Sequence, residues 1–171
     1  MKNSDSTTRY RTDQSKNLVS FLVGEVRYAV DIHRVREIVN PLPIVSLPHA
    51  PEEVVGVSDH RGEVLPVVDL RVRFGLPAVQ VTRRTKWIVV RVLGQAHAVA
   101  LVVDAVTDVF GATAEAQRTV PELARGADLR GIANVYAHDG RLVFVVDPQV
   151  VAAAAKQIDT DSLRPLLSGE P

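Results

Sequence analysis

Short hydrophobic runs separated by turn residues dominate the chain. Four pairs of such runs, each separated by a turn that contains glycine, predict antiparallel β-hairpins. The prediction is clearest around Asp139-Gly140, because Asp-Gly is a strong hairpin turn signal. The pairs are residues 18–23 with 26–30, 54–57 with 63–68, 87–93 with 96–103, and 131–138 with 141–146.

A short helix is predicted after the first hairpin. Apolar residues at positions 32, 35, 38 and 39 follow Asp31, and their spacing places them on one helix face. Asp31 would be the N-cap of this helix, which would end before Pro41.

Two further helices are predicted at the ends of later strands. Asp69 would cap a helix that reaches residue 74, and Pro148 would begin another that reaches residue 155. Pro66 lies inside a predicted strand and therefore suggests a sheet edge or a bulge at that point.

The second half of the chain repeats part of the first. Val67-Val68-Asp69 recurs as Val145-Val146-Asp147, and both aspartates lie seven residues after a turn glycine. In both copies another valine, Val72 or Val150, follows three residues later. This shared pattern indicates an internal duplication rather than two unrelated valine-rich hairpins.

Two weaker matches extend the duplication. Gly56-Val57 begins the first copy as Gly131-Ile132 begins the second, and in a weaker match that precedes each copy Glu37 falls at the position of Asp108. Two small β units, each marginal alone, would bury their faces against one another. We therefore predict a mostly β fold of two pseudo-symmetric small antiparallel barrels that share a hydrophobic core and carry short helices.

The composition adds a β bias and excludes several kinds of chemistry. Of 171 residues, 31 are valines, which pack well on a sheet and lose rotamer freedom in a helix. Cysteine is absent, so disulfides, thiolate catalysis and cysteine zinc sites are excluded. The 20 basic and 20 acidic residues balance, which gives no overall attraction to nucleic acid or anionic lipid.

Domain boundaries and localisation follow from the distribution of polar residues. Residues 1–17 are almost wholly polar and are predicted to be a flexible N-terminal tail, and residues 156–171 a polar C-terminal tail that frays. Residues 18–155 would form the domain with the two barrels. The expected localisation is cytoplasmic, because no apolar stretch is long enough for a membrane span or a signal peptide.

Four segments carry recognisable motifs. They are VDIHRVREI at 30–38, the proline-rich LPHAP at 47–51, VGVSDHRGEVLPVVDLR at 55–71 and LVVDAVTDV at 101–109. In this order they resemble the CheW family of chemotaxis coupling proteins over about residues 18 to 151. The family usually has Asn-Leu-Arg-Gly at the turn where this chain has Asp59-His60-Arg61-Gly62.

The resemblance implies a CheW-like domain of two intertwined five-stranded β-barrels (SH3-like) and a non-enzymatic adaptor in chemotaxis or motility signalling. The implied partners are a chemoreceptor's cytoplasmic tip and the CheW-like regulatory domain of a CheA-type histidine kinase, with the membrane reached only indirectly, at receptor arrays. It implies no cofactor, and it leaves the kinase-contact residues unknown. The implied receptor-binding residues are Ile32, Val35, Glu37, Gly56, Asp59, His60, Arg61 and Gly62.

Two alternative functions remain open. The altered Asp59-His60 could mark a paralogue that binds a receptor without a kinase. Residues 70–103 hold six basic residues and no acidic one, and such a segment could bind nucleic acid. Because the segment spans a loop with few aromatic residues, an anionic protein partner or simple exposure to solvent explains it better.

The five histidines show no metal-ligand spacing, so no metal is predicted. The basic residues are Arg71, Arg73, Arg83, Arg84, Lys86 and Arg91, and the histidines are at 33, 49, 60, 97 and 138.

Overall fold

Two β-sheets built from eleven strands make up most of the computed structural model, which describes residues 16–78, 80–119 and 131–169. The strands are β1 (Lys16–Val23), β2 (Val26–Asp31), β3 (Val35–Val39), β4 (Val54–His60), β5 (Glu63–Asp69), β6 (Lys86–Val90), β7 (Val99–Val103), β8 (Ala105–Ala112), β9 (Gln117–Arg118), β10 (Ile132–His138) and β11 (Arg141–Val146). The helices are α1 (Leu70–Arg73), α2 (Pro148–Val151) and α3 (Thr160–Ser168), with 3₁₀ turns at Ile32–Arg34, Ala114–Ala116 and Ala153–Gln157.

The two sheets share a strand pattern, apart from the additional β9, and each contains one hairpin from the other half of the chain: β1–β2 in the six-stranded sheet and β6–β7 in the five-stranded sheet. The six-stranded sheet has the order β8-β1-β2-β11-β10-β9, and the five-stranded sheet has the order β3-β6-β7-β5-β4. After the hairpin β1–β2 the chain crosses to the other sheet, where β3 pairs with β6. After β6–β7 it crosses back, and β8 pairs with β1. This exchange is why the two halves are intertwined.

Register places the duplicated residues at equivalent positions. Glu37 lies opposite Val89 on β6, and Asp108 lies opposite Ser20 on β1, each just after a β-bulge. The hairpins β4–β5 and β10–β11 also each contain a bulge. Gly131, matched to Gly56 by sequence, is instead equivalent to Glu53 and directly precedes β10, as Glu53 precedes β4.

Backbone hydrogen bonds establish that Gly131 and Glu53 are equivalent. The N–H of Asp147 donates to the carbonyl of Gly131 at 2.7 Å, as the N–H of Asp69 donates to Glu53 at 2.9 Å. The position equivalent to Gly56 is Asn134, since both follow the bulge.

Buried side chains form three clusters, one between the sheets and one on the far side of each. The shared cluster takes residues from both sheets, including Phe21, Val30, Leu70 and Leu101. This arrangement confirms the predicted fold class of two pseudo-symmetric β units with a common core, although one sheet has six strands rather than five. The far cluster of the six-stranded sheet includes Leu18, Phe110, Tyr136 and Val143, and that of the five-stranded sheet includes Leu65, Val67, Trp87 and Ala100.

The helix predicted from Ile32 to Val39 is wrong. Only Ile32–Arg34 is helical, as a 3₁₀ turn that Asp31 caps by accepting the N–H of His33 at 2.9 Å, and Val35–Val39 is strand β3. The bulge after Val35 places Val35 and Ile38 on the same face of a strand, because they lie opposite Val90 and Ile88. Their three-residue spacing therefore imitates a helix.

Other local predictions have mixed outcomes. Asp69 caps α1 as predicted, and α2 begins at Pro148 as predicted, with Asp147 as its N-cap. Pro66 is not on an edge strand, since β5 lies between β7 and β4, and the bulge is elsewhere in β4.

The chain ends differ from the predicted tails. Lys16 and Asn17 belong to β1, and residues 1–15 lie outside the described residues. Residues 160–168 do not fray but form α3, which packs on β5 and β4. Among the helices that the structure describes, none has the length and apolar character to cross a membrane.

Candidate functional site

The candidate site is centred on the turn between β4 and β5. Arg61 and Gly62 both have positive φ, 55° and 79°, which matches the twist of a two-residue hairpin turn. The N–H of Gly62 donates to the carboxylate of Asp59 at 2.9 Å, and His60 pairs with Glu63 across the turn. A Cβ on Gly62 would contact nothing within 4 Å, so glycine is needed there for the backbone conformation alone.

Glu37 lies beside this turn because the chain crosses between the sheets after β2, which places β3 in the same sheet as β4 and β5. Its Oε1 is 2.9 Å from Nε2 of His60, and its Oε2 is 3.6 Å from Nη1 of Arg61. Partial burial raises the pKa of Glu37, but the hydrogen bond from His60 and the charges of His60, Arg61 and Arg36 outweigh it. The pKa of Glu37 is therefore below its ordinary value, and the carboxylate is ionised at neutral pH.

Arg36 and Glu63 complete the site and were missed in the sequence. Nη1 of Arg36 is 2.6 Å from Oε2 of Glu63, and its Nη2 is 3.6 Å from Oε1 of Glu37. Glu63 also accepts the N–H of Ala98 at 3.3 Å. Arg36 is the bulged residue of β3, so its direction could not be predicted for a residue assigned to a helix.

Three of the predicted receptor-binding residues lie away from the charged group. Ile32 is 36% exposed in the 3₁₀ turn, whereas Val35 packs partly against the shared core. Gly56 is buried, and a Cβ there would collide with the carbonyl oxygen of Val45. Gly56 therefore permits the close approach of Val45, which bridges to Val57.

The second copy carries a corresponding group at the β10–β11 turn. Nε2 of His138 is 3.0 Å from the carboxylate of Asp108 and 3.4 Å from that of Asp139, and its ring stacks on Phe110 with centroids 3.8 Å apart. Asp139, with φ of 49°, takes the place of Arg61. These three side chains have ligand atoms within 4.8 Å of one another, a grouping that histidine spacing did not indicate.

The basic segment is partly neutralised by carboxylates from outside it. Nη1 of Arg71 is 2.7 Å from the carboxylate of Asp104, and Nη1 of Arg73 is 3.6 Å from that of Glu53. Two of the six basic residues are thereby paired within the protein, which weakens the nucleic-acid alternative.

Fold and site together define a class of protein: a β scaffold of two intertwined repeats that presents charged side chains at a hairpin turn. The sequence profile of the CheW-like domain matches residues 17–156, and the chain belongs to the CheW family.

Known relatives agree with this assignment. The chain is 34% identical over 142 residues to the chemotaxis protein CheW of Rhizobium meliloti, covering 83% of this chain and 90% of that protein. It is 31% identical over 143 residues to the chemotaxis protein CheW of Klebsiella aerogenes, covering 84% and 85%. The scaffolding protein TtCheW from Thermoanaerobacter tengcongensis has a similar structure, with a TM-score of 0.70, 27% identity and coverage of 81% and 88%.

Proposed function

We propose that this CheW-family chemotaxis adaptor is a non-enzymatic scaffold that couples the cytoplasmic tip of a chemoreceptor to a CheA-type histidine kinase. Its proposed place is the cytoplasmic face of receptor arrays, where it reaches the membrane only through the receptor. Coupling in this proposal depends on geometry: two partners bind different surfaces of one rigid β body, and each receptor state presents different contacts to the adaptor. The family membership and the similarity to chemotaxis proteins support this function.

The observation that carries the receptor-binding proposal is the presentation of Arg61. Its side chain is 77% exposed, yet its backbone is fixed by the two-residue turn and by the Asp59 hydrogen bond to Gly62. A guanidinium has five donors in a planar fork that suits a carboxylate. Glu37, at the base of the turn, offers a matching acceptor. Together they form a small polar surface for a helical receptor tip.

The test is to reverse the charge of Arg61. We expect Arg61→Glu to abolish co-sedimentation with receptor-containing membranes, because it places a third carboxylate beside Glu37 and Glu63. Its circular dichroism spectrum should match the wild type, since the exposed side chain supports no core contact.

Arg141→Glu is the matched control. Arg141 is an exposed arginine that directly follows the equivalent turn of the second copy. Receptor co-sedimentation should persist in this variant. If Arg61→Glu co-sediments normally, the receptor surface lies elsewhere on the protein.

A receptor-binding paralogue without kinase coupling is the second candidate, and the departure at Asp59-His60 is the observation that favours it. A pull-down with the regulatory domain of the cognate kinase discriminates the two. Retention of the kinase domain supports the coupling scaffold, whereas receptor binding with no kinase retention supports the competitor.

A further inference from the structure

His60 lies between the two charged residues of the proposed receptor surface. Its side chain is 12% exposed, and its Nε2 is 2.9 Å from Oε1 of Glu37. The competing contact, from Arg61 to the same carboxylate, is longer at 3.6 Å and comes from an exposed, flexible side chain. The contact of Glu37 with His60 is therefore the stronger of the two.

The charge of His60 changes the balance of the whole group. On β3, Arg36 and Glu37 face it, and on the β4–β5 hairpin Asp59, Arg61 and Glu63 surround the same turn. Histidine is the side chain that ordinarily changes charge between pH 5 and 8. Because Glu37 is already ionised there, a proton on His60 adds one positive charge to the group.

We propose that His60 is a positioning residue of the receptor surface: when charged, it holds Glu37 and leaves Arg61 free to bind a carboxylate on the receptor. Receptor affinity then rises as the pH falls from 8 to 6. This inference rests on the proposed receptor-binding function and adds the regulation of that site.

The second copy supplies an internal control for the proposal. His138 makes the same kind of contact with Asp108, at 3.0 Å, but the residue in the place of Arg61 is Asp139. A proton on His138 therefore releases no guanidinium at its turn. Any pH effect common to all surface histidines would come from both residues alike, whereas the proposed effect comes from His60 alone.

The experiment compares receptor affinity of the full chain at pH 8, 7 and 6 for the wild type, His60→Gln and His138→Gln. The wild type should bind about threefold to tenfold more tightly at pH 6 than at pH 8, the effect expected of one added charge near a partly screened contact. His60→Gln should bind with little pH dependence, because the amide still donates to Glu37 but does not titrate. His138→Gln should keep the wild-type profile.

Each possible failure has a distinct outcome. The ratio of wild-type to His60→Gln affinity at each pH cancels titration of the receptor itself. A ratio that stays constant from pH 8 to 6 overturns the role of His60, even if Arg61→Glu has abolished binding and upheld the receptor site. If the wild type binds no receptor at any pH, the proposed function itself fails.

Discussion

The two hairpin turns of this protein share a framework but differ in the charge that they expose. At the β4–β5 turn a histidine contacts the carboxylate of Glu37, and Arg61 projects beside it. At the β10–β11 turn a histidine contacts Asp108, but the projecting residue is Asp139. In each case the acid lies on the strand that follows a crossing between the sheets, β3 for Glu37 and β8 for Asp108.

This difference separates structural from functional positions. Strand exchange, the bulge before each acid and the acid–histidine contact occur in both copies, so they belong to the common architecture. The exposed turn residue interacts least with the scaffold and is opposite in charge. This contrast is why we propose Arg61 as the position that binds a negatively charged group on a partner.

The two copies should differ most in how a substitution at Gly56, or at its equivalent, changes the free energy of unfolding. Alanine there would collide with the backbone of Val45 and lie 2.7 Å from Ile44 Cγ2, at a φ of 146° that suits glycine. We expect Gly56→Ala to lower the free energy of unfolding by about 3 kcal/mol or more.

The matched control is Asn134→Gly at the equivalent position. Asn134 already has a side chain there, and its carboxamide accepts from Gln117 at 3.1 Å. Its loss should cost about 1 kcal/mol, mainly through backbone entropy and one exposed hydrogen bond. Denaturant unfolding measures both, and equal losses would show that the two positions are not differently constrained.

The helix caps should give an intermediate difference. Asp69 and Asp147 each accept a backbone N–H at 2.9 Å, but Asp69 is buried and Asp147 is only partly so. Asp69→Ala should cost about 2 kcal/mol and Asp147→Ala about 1 kcal/mol. The two losses of unfolding free energy are compared through the midpoints of urea unfolding, with the conservative Asp→Asn change at each position as the control. A larger loss at Asp147 would contradict the difference in burial.

The smallest effect expected is on stability in acid. Glu37 has a lowered pKa for the reasons given above, and the His138 hydrogen bond followed by the Val109 N–H lowers the pKa of Asp108. Each carboxylate therefore adds stability above its unfolded-state pKa, and this stability is lost as the pH falls through the lower folded value.

Thermal unfolding followed from pH 6 to pH 3 tests this sign. Glu37→Gln and Asp108→Asn should each lose less melting temperature than the wild type over that range. Curves that run parallel to the wild type would show that neither carboxylate is stabilised in the folded state.

The features that the sequence predicted well are those with local causes. The hairpins follow from hydrophobic runs around turn glycines, and the caps of α1 and α2 follow from an aspartate placed directly before each helix. The repeated Val-Val-Asp pattern was sufficient to predict two halves with a common core.

The features that it missed depend on distant contacts. A bulge at Arg36 gives the apolar residues of strand β3 a helix-like spacing, and the segment forms a strand because it pairs with β6. The contact of Glu37 with His60 requires β3 to cross between sheets, which periodicity does not show. The sequence predicts a polar tail where helix α3 forms, because the few apolar residues of α3 are recognisable as a packing face only beside β4 and β5.

The most direct test of receptor binding at the first turn is amide NMR of the isotope-labelled protein during titration with a receptor's cytoplasmic domain. We predict that the signals of the first turn and its acid shift or broaden first, namely those of Glu37, His60, Arg61 and Gly62, while those of Asp108, His138 and Asp139 do not change. Early changes at the second turn with none at the first would contradict receptor binding at the β4–β5 turn.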